Sequence, residues 1–166
     1  MDDFAWEASG LTGVPREVIE HKLAVSKDAK PVKQVLRKQS KEKLKFFISE
    51  VDKLIEAGVI RVVPHPTWVA NAVVVPKPLT FKWRLCIDFT DLNKAYPKDP
   101  FLLSRINLIV DSTAGCALLC FLDAFSRYHQ ILMAEEDQEK TAFITPKGYY
   151  CYTRMPFGVR NAGATF

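Results

Sequence analysis

The stretch FKWRLCID, residues 81–88, alternates without a break: Phe81, Trp83, Leu85 and Ile87 fall on one side, Lys82, Arg84, Cys86 and Asp88 on the other. A period of two over eight residues is that of a β-strand with one face on a core. Its other face opens with two cations. Immediately upstream, residues 59–63 and 68–75 are β-branched runs bounded by Pro64, Pro66, Pro76 and Pro78. Proline cannot donate within a ladder, so these read as short strands with exposed ends.

Further upstream the period changes. Leu44, Phe47, Ile48, Val51, Leu54 and Ile55 recur at helical spacing, Ser40 stands where an N-cap is needed, and Gly58 stands where a left-handed residue would end the helix. Residues 1–39 have little periodicity and are punctuated by Gly10, Gly13, Pro15 and Pro31, so they read as an extended lead-in. Downstream, Ile106, Ile109 and Val110 predict a helix over residues 104–113 ended by Gly115. Residues 117–122 are an unbroken apolar run of strand length closed by Asp123. Residues 141–145 and 149–154 flank Pro146, Lys147 and Gly148 as a hairpin, and residue 166 falls in the opening of a helix. The order of elements gives an α+β fold with strands in two clusters.

Composition fits a globular chain: 48% hydrophobic, 25% charged and 11% aromatic over 166 residues. No uncharged apolar stretch approaches the ~18 residues a membrane span needs, and Met1, Asp2 and Asp3 are not the start of a secretory signal. The expectation is an intracellular protein, cytoplasmic or nuclear, with no membrane partner. Cys86, Cys116, Cys120 and Cys151 lack the paired close spacing of a zinc site and read as buried thiols. The net charge is +4, and much of it is concentrated: Lys27, Lys30, Lys33, Arg37, Lys38, Lys41, Lys43 and Lys45 stand against only Asp28 and Glu42. Such a segment reads either as a surface for a polyanion or as a solvated face.

A carboxylate ending a buried strand, as Asp123 would, sits at a sheet rim where an oxygen can reach a hard cation. Magnesium suits that setting, held by one or two carboxylates together with substrate phosphates. A lone aspartate is insufficient for two-metal chemistry, and the later acids Glu135, Glu136, Asp137 and Glu139 read as a solvated polar turn. On the residues alone, Asp123 reads sooner as a cap or turn residue than as a metal ligand.

The text around Asp123 is more specific. KWRLCIDFTDLNKAYPKDPFLLSRI (residues 82–106), FLDAFSRYHQI (121–131), KTAFITPKGYYCY (140–152) and MPFGVRNAGATF (155–166) occur in this order. Together they closely resemble the reverse transcriptase of gypsy-type long-terminal-repeat retrotransposons, and the likeness runs from about Pro15 to the last residue. It implies a right-hand polymerase fold, with a fingers subdomain over about residues 40–112 and an incomplete palm over about 113–166, after a lead-in over residues 1–39. It further implies RNA- and DNA-templated DNA synthesis from deoxynucleoside triphosphates with Mg2+.

Matched residue by residue, Asp123 corresponds to the first catalytic, metal-binding aspartate and Ala124 to the residue whose carbonyl also touches metal. Tyr128 corresponds to the aromatic gate beneath the sugar, Lys82 and Arg84 to the fingers cations that close on the triphosphate, and Phe157 and Gly158 to the segment against nucleotide and template. Asn93, Pro156 and Arg160 would serve the template side. Without the resemblance, Lys82 and Arg84 would be a solvated strand face, Tyr128 a core tyrosine and MPFG an ordinary turn.

Two positions depart from the family: Phe81 stands where a turn glycine is usual, and Arg127 where glycine usually precedes the gate. The Tyr-x-Asp-Asp segment is absent from these 166 residues. The chain by itself is therefore expected to be inactive, with the remaining palm, thumb, connection and RNase H as partners if the native gene encodes them. The alternatives are a non-catalytic nucleic-acid-binding or interaction fragment and a degenerate element remnant.

Overall fold

A computed structural model describes residues 12–78, 82–100, 106–120 and 126–166. Its main body is a five-stranded sheet in the order β2-β7-β6-β3-β4, built from β2 (Ile60–Val62), β3 (Ala70–Pro76), β4 (Trp83–Ile87), β6 (Phe143–Thr145) and β7 (Gly148–Tyr152). β3 is antiparallel to β4, with Val75 opposite Arg84, and parallel to β6, with Ala70 opposite Phe143. β7 joins β6 to β2, with Tyr150 opposite Phe143 and Tyr152 opposite Ile60. The mixture of helices with this mixed sheet is the α+β fold expected.

The helix expected after Ser40 is α1 (Lys41–Glu56). The Ser40 hydroxyl accepts the Lys43 N–H at 3.4 Å. At the other end Gly58 takes φ 64°, the Val59 N–H reaches the Leu54 carbonyl and the Gly58 N–H reaches that of Ile55, both at 2.9 Å. This is the paired closure that satisfies the last carbonyls of a helix. Phe47 and Val51 carry the buried face, in one cluster with Val59, Trp68, Val74, Ile87, Phe143 and Tyr152, whereas Ile55 lies on the exposed side.

The hairpin forms between β6 and β7, with Thr145 opposite Gly148 and the Thr145 hydroxyl donating to the Gly148 carbonyl at 2.9 Å. α2 (Thr90–Lys94) follows β4 directly. α3 (Ile106–Ser112) occupies the helix expected at 104–113, of which residues 104 and 105 lie outside the described residues.

The apolar run at 117–122 departs from expectation. Residues 117–120 form no strand, and Leu118 and Leu119 are 92% and 52% exposed. Hydrophobic composition makes a buried strand only where a neighbour takes up the backbone N–H and C=O groups. Among the described residues no strand pairs with this stretch. Cys116 and Cys120 are likewise exposed, so the reading of four buried thiols holds fully only for Cys151, with Cys86 half-buried. Residues 121–125, including Asp123 and Ala124, and the departure at Phe81 lie outside the described residues.

The lead-in is woven into the fold. β1 (Glu20–His21) pairs in parallel with β5 (Leu132–Met133), and the Val14 N–H reaches the Gln130 carbonyl at 2.7 Å. Leu23 joins the core and its N–H donates to the Asp137 carboxylate at 2.7 Å. Asp137 lies within the short α4 (Glu135–Gln138) expected as a solvated turn, yet it is 2% exposed. A buried carboxylate needs partners, and Lys140 supplies the second. Glu135 and Glu139 remain largely in solvent.

Candidate nucleotide and template site

Several of the residues singled out from the sequence converge where β4, α2 and the loop after β7 meet. Lys82 precedes β4 and Arg84 lies within it, and both side chains are exposed, because strand alternation turns Trp83, Leu85 and Ile87 toward the core. At the far end of the strand, Gly158 packs against Ile87 and Phe89: a Cβ there would lie 3.5 Å from the Ile87 carbonyl oxygen and 3.6 Å from the Phe89 ring. Its φ of 92° is the stronger reason for glycine, since L-residues pay for that backbone.

The MPFG loop, residues 155–158, is half buried anchor and half exposed shelf. Met155 and Pro156 are buried, so the Pro156 ring faces protein, while Phe157 is 54% exposed and Gly158 is exposed beside it. α2 brackets the loop. The Asn93 amide donates to the Gly158 carbonyl at 2.8 Å and its carbonyl oxygen accepts the Arg160 N–H at 2.8 Å. The Tyr96 hydroxyl donates to the Arg160 carbonyl at 3.0 Å, and the Arg160 guanidinium donates back to the Tyr96 carbonyl at 2.7 Å. Burial pushes the Tyr96 hydroxyl up to about 12, so it stays a donor. Asn93 and Arg160, expected at the template, are thus engaged in holding the shelf. Only the remaining guanidinium donors of Arg160 are left to face a ligand.

Tyr128 stands over this shelf. It belongs to a single 3-10 turn, Arg127–Gln130, and its ring centroid lies 4.6 Å from that of Phe157 and 5.9 Å from that of Phe166. The His129 ring, 6.0 Å from Phe157, is held neutral: desolvation and then Arg154 push it down to about 4. The Arg127 guanidinium lies 5.0 Å over the Tyr128 ring, a cation–π contact. The left-handed backbone here falls on Ser126, φ 43°, and not on Arg127. Arginine in the place of the usual glycine therefore costs no backbone strain.

Asn93, Tyr128, Phe157, Gly158 and Arg160 are thus linked by contacts near the end of β4, beside the buried Pro156, whereas Lys82 and Arg84 are exposed cations at the start of the strand. Sequence reasoning missed the buried Asp137 and the bracketing Tyr96. A lone Tyr just past a five-residue helix carries no periodic signal, and Asp137 sits among acids that are solvated. Among the described residues no three His, Cys, Asp or Glu side chains gather as a metal site. No described helix is long and apolar enough to cross a membrane.

Comparison with known proteins bears on the family and the fold. Residues 75–166 match the family Reverse transcriptase (RNA-dependent DNA polymerase). The chain is 37% identical over 125 residues to the retrovirus-related Pol polyprotein from transposon gypsy of Drosophila melanogaster, covering 73% of this chain and 12% of that protein. To the Pol polyprotein from transposon 412 of the same fly it is 30% identical over 172 residues, covering 100% of this chain and 14% of the relative. The chain thus spans only a small part of the relatives it matches. Among solved structures, the protease-reverse transcriptase of prototype foamy virus superposes with a TM-score of 0.73 at 23% identity, over 89% of this chain and 19% of that one. The foamy viral enzyme in complex with RNA/DNA hybrid gives 0.70 at 19% identity, over 87% and 19%.

Proposed function

Because the chain belongs to the Reverse transcriptase (RNA-dependent DNA polymerase) family, we propose that it forms the fingers and part of the palm of an RNA-directed DNA polymerase of retrotransposon origin. The observation that carries this reading is the shelf of Tyr128 on Phe157 at 4.6 Å, set at the end of the strand that exposes Lys82 and Arg84. Such an arrangement suits a deoxynucleoside triphosphate with its sugar against the aromatic pair and its phosphates toward the cations. The cations would stabilise charge gathering on the leaving pyrophosphate. The Tyr128 ring, held from two sides, would fill the space a ribose 2′-hydroxyl needs. Template and primer would run over Phe157 and Gly158, where an aromatic face stacks a base and the absence of a Cβ lets a strand approach. Magnesium would supply charge neutralisation of the triphosphate, with Asp123 and Ala124 as the residues of this chain that would hold it.

We further propose that the polypeptide of these 166 residues does not extend a primer alone, since it contains no Tyr-x-Asp-Asp segment. The test is binding and extension in parallel, with a labelled deoxynucleoside triphosphate, an RNA template, a DNA primer and magnesium. Expected is ternary binding weakened at least tenfold by Lys82→Ala with Arg84→Ala, and a loss of preference for deoxy over ribo triphosphates in Tyr128→Ala. Absence of template-primer binding would overturn the assignment of the shelf. Extension that disappears in Asp123→Asn would overturn the inactivity.

A further inference from the structure

Tyr128 is carried by the single 3-10 turn Arg127–Gln130. One turn fixes several dihedrals for few hydrogen bonds and is marginal without outside partners. Inside it, the His129 N–H reaches the Ser126 carbonyl at 2.8 Å and the Ile131 N–H that of Tyr128 at 3.2 Å. The next two carbonyls are taken from elsewhere in the chain. The Arg154 guanidinium donates to the His129 carbonyl at 3.1 Å, and the Val14 N–H donates to the Gln130 carbonyl at 2.7 Å. Past the turn the chain runs between the same two neighbours. Leu132 bridges Arg154 on one side and pairs with Glu20 on the other, and Arg16 donates to the Met133 carbonyl at 3.1 Å.

Gly13 makes this approach of the lead-in possible. Its φ is 77°, and a Cβ there would stand 2.5 Å from an Arg154 guanidinium nitrogen and 3.0 Å from the Gln130 carbonyl oxygen. A left-handed backbone without a Cβ lies against both groups that hold the turn. Gly13 and Val14 also precede residues 75–166, the part matched to the family. Because the Tyr128 ring meets Phe157 at 4.6 Å, its placement depends on where the turn is seated. We propose that Gly13 and Val14 are positioning residues for Tyr128, so that docking of the lead-in sets how strongly the site prefers a deoxy over a ribonucleoside triphosphate. The inference rests on the polymerase reading of the shelf, in which the Tyr128 ring fills the space of a ribose 2′-hydroxyl. When the Gln130 carbonyl loses its donor, the turn shifts on its seat and the ring yields part of that space.

The test uses the 166-residue chain with an RNA template, a DNA primer and magnesium. It measures displacement of a labelled deoxynucleoside triphosphate by dGTP or by GTP opposite a templating cytosine. Gly13→Ala, which brings a clash and a strained backbone, and Val14→Pro, which removes the N–H, should each lower the preference for dGTP about twofold to tenfold, the range for one lost hydrogen bond. The change should come from tighter binding of GTP, with dGTP affinity nearly constant. Val14→Ala keeps the N–H and should keep the preference. Gly58→Ala, strained at φ 64° with open space around its Cβ, controls for lost stability and should keep it too. Hydrogen exchange of the Ile131 amide, which bonds the Tyr128 carbonyl, should accelerate in Gly13→Ala and Val14→Pro and stay slow in Val14→Ala. A preference lost in Tyr128→Ala but unchanged in both Gly13→Ala and Val14→Pro would overturn the inference and leave the polymerase reading standing. So would equal weakening of dGTP and GTP, or unchanged exchange at Ile131. Failure of the unsubstituted chain to bind either triphosphate would refute the polymerase reading, and the inference with it.

Discussion

Replacing Asp137 tests whether the lead-in is a structural part of the domain. Its carboxylate, 2% exposed, accepts the Leu23 N–H at 2.7 Å across 114 residues of sequence and also pairs with Lys140. Asp137→Ala removes a charged acceptor from a buried amide, worth about 1.5–3 kcal/mol. The Lys140 side chain is 32% exposed and can rehydrate, so losing that partner adds no more than about 1 kcal/mol. The expected cost is about 2–4 kcal/mol, read as a lower urea midpoint with little change in slope. Asp137→Asn keeps an acceptor for Leu23 and gives up only the ion pair, so it should cost about 1 kcal/mol. Hydrogen exchange supplies the local reading: Leu23 and Val14 amides should lose protection in the alanine variant before the β6–β7 hairpin does. Equal costs for Asn and Ala, or unchanged protection at Leu23, would refute the argument that Asp137 holds the lead-in.

Stability should also fall between about pH 6.5 and pH 4. His21 is buried, its Nδ1 2.8 Å from the Thr165 hydroxyl, and desolvation pushes it down to about 4 against the opposing pull of Asp137. A histidine whose folded value lies below its unfolded value contributes fully above the unfolded value and loses that contribution as acid titrates the unfolded chain, up to about 3 kcal/mol here. His21→Gln should flatten the pH dependence of the urea midpoint in that window. Gly158→Ala should cost about 1–2 kcal/mol through its backbone at φ 92°, since the added Cβ meets only ordinary contacts; calorimetry reads the lowered midpoint. Asn93→Ala should cost about 1–3 kcal/mol by orphaning the Arg160 N–H, and proteolysis near residue 158 should accelerate.

The parts legible in the sequence are those where a local pattern and the tertiary outcome agree. Ser40 and Gly58 mark α1 because a cap and a left-handed stop are local chemistry, and FKWRLCID announces β4 because alternation survives burial of one face. The shelf was legible only through the likeness of four ordered blocks. Neither Tyr128 nor Phe157 shows from its neighbours that the two rings will meet. The parallel pair β1–β5 was invisible because two-residue strands have no period. Residues 117–120 misled because hydrophobicity reports what could be buried, whereas burial as a strand also needs a partner for the backbone. Asp137 misled in the opposite direction: three acids beside it are solvated, and the distant amide of Leu23 together with Lys140 singles it out.

The pairing of the lead-in with β5 and Asp137 also sets an order of events during synthesis. Leu23 leaves the ribosome 114 residues before the carboxylate that receives its N–H, a wait of roughly 6–23 s at the usual rates of elongation. During it the apolar face of the first helix is made and stays unsheltered, because the β6 and β7 residues that will cover it do not yet exist. Any nascent-chain chaperone or polyanion at the exit tunnel meets the lysines of residues 27–45 before the five-stranded sheet is complete.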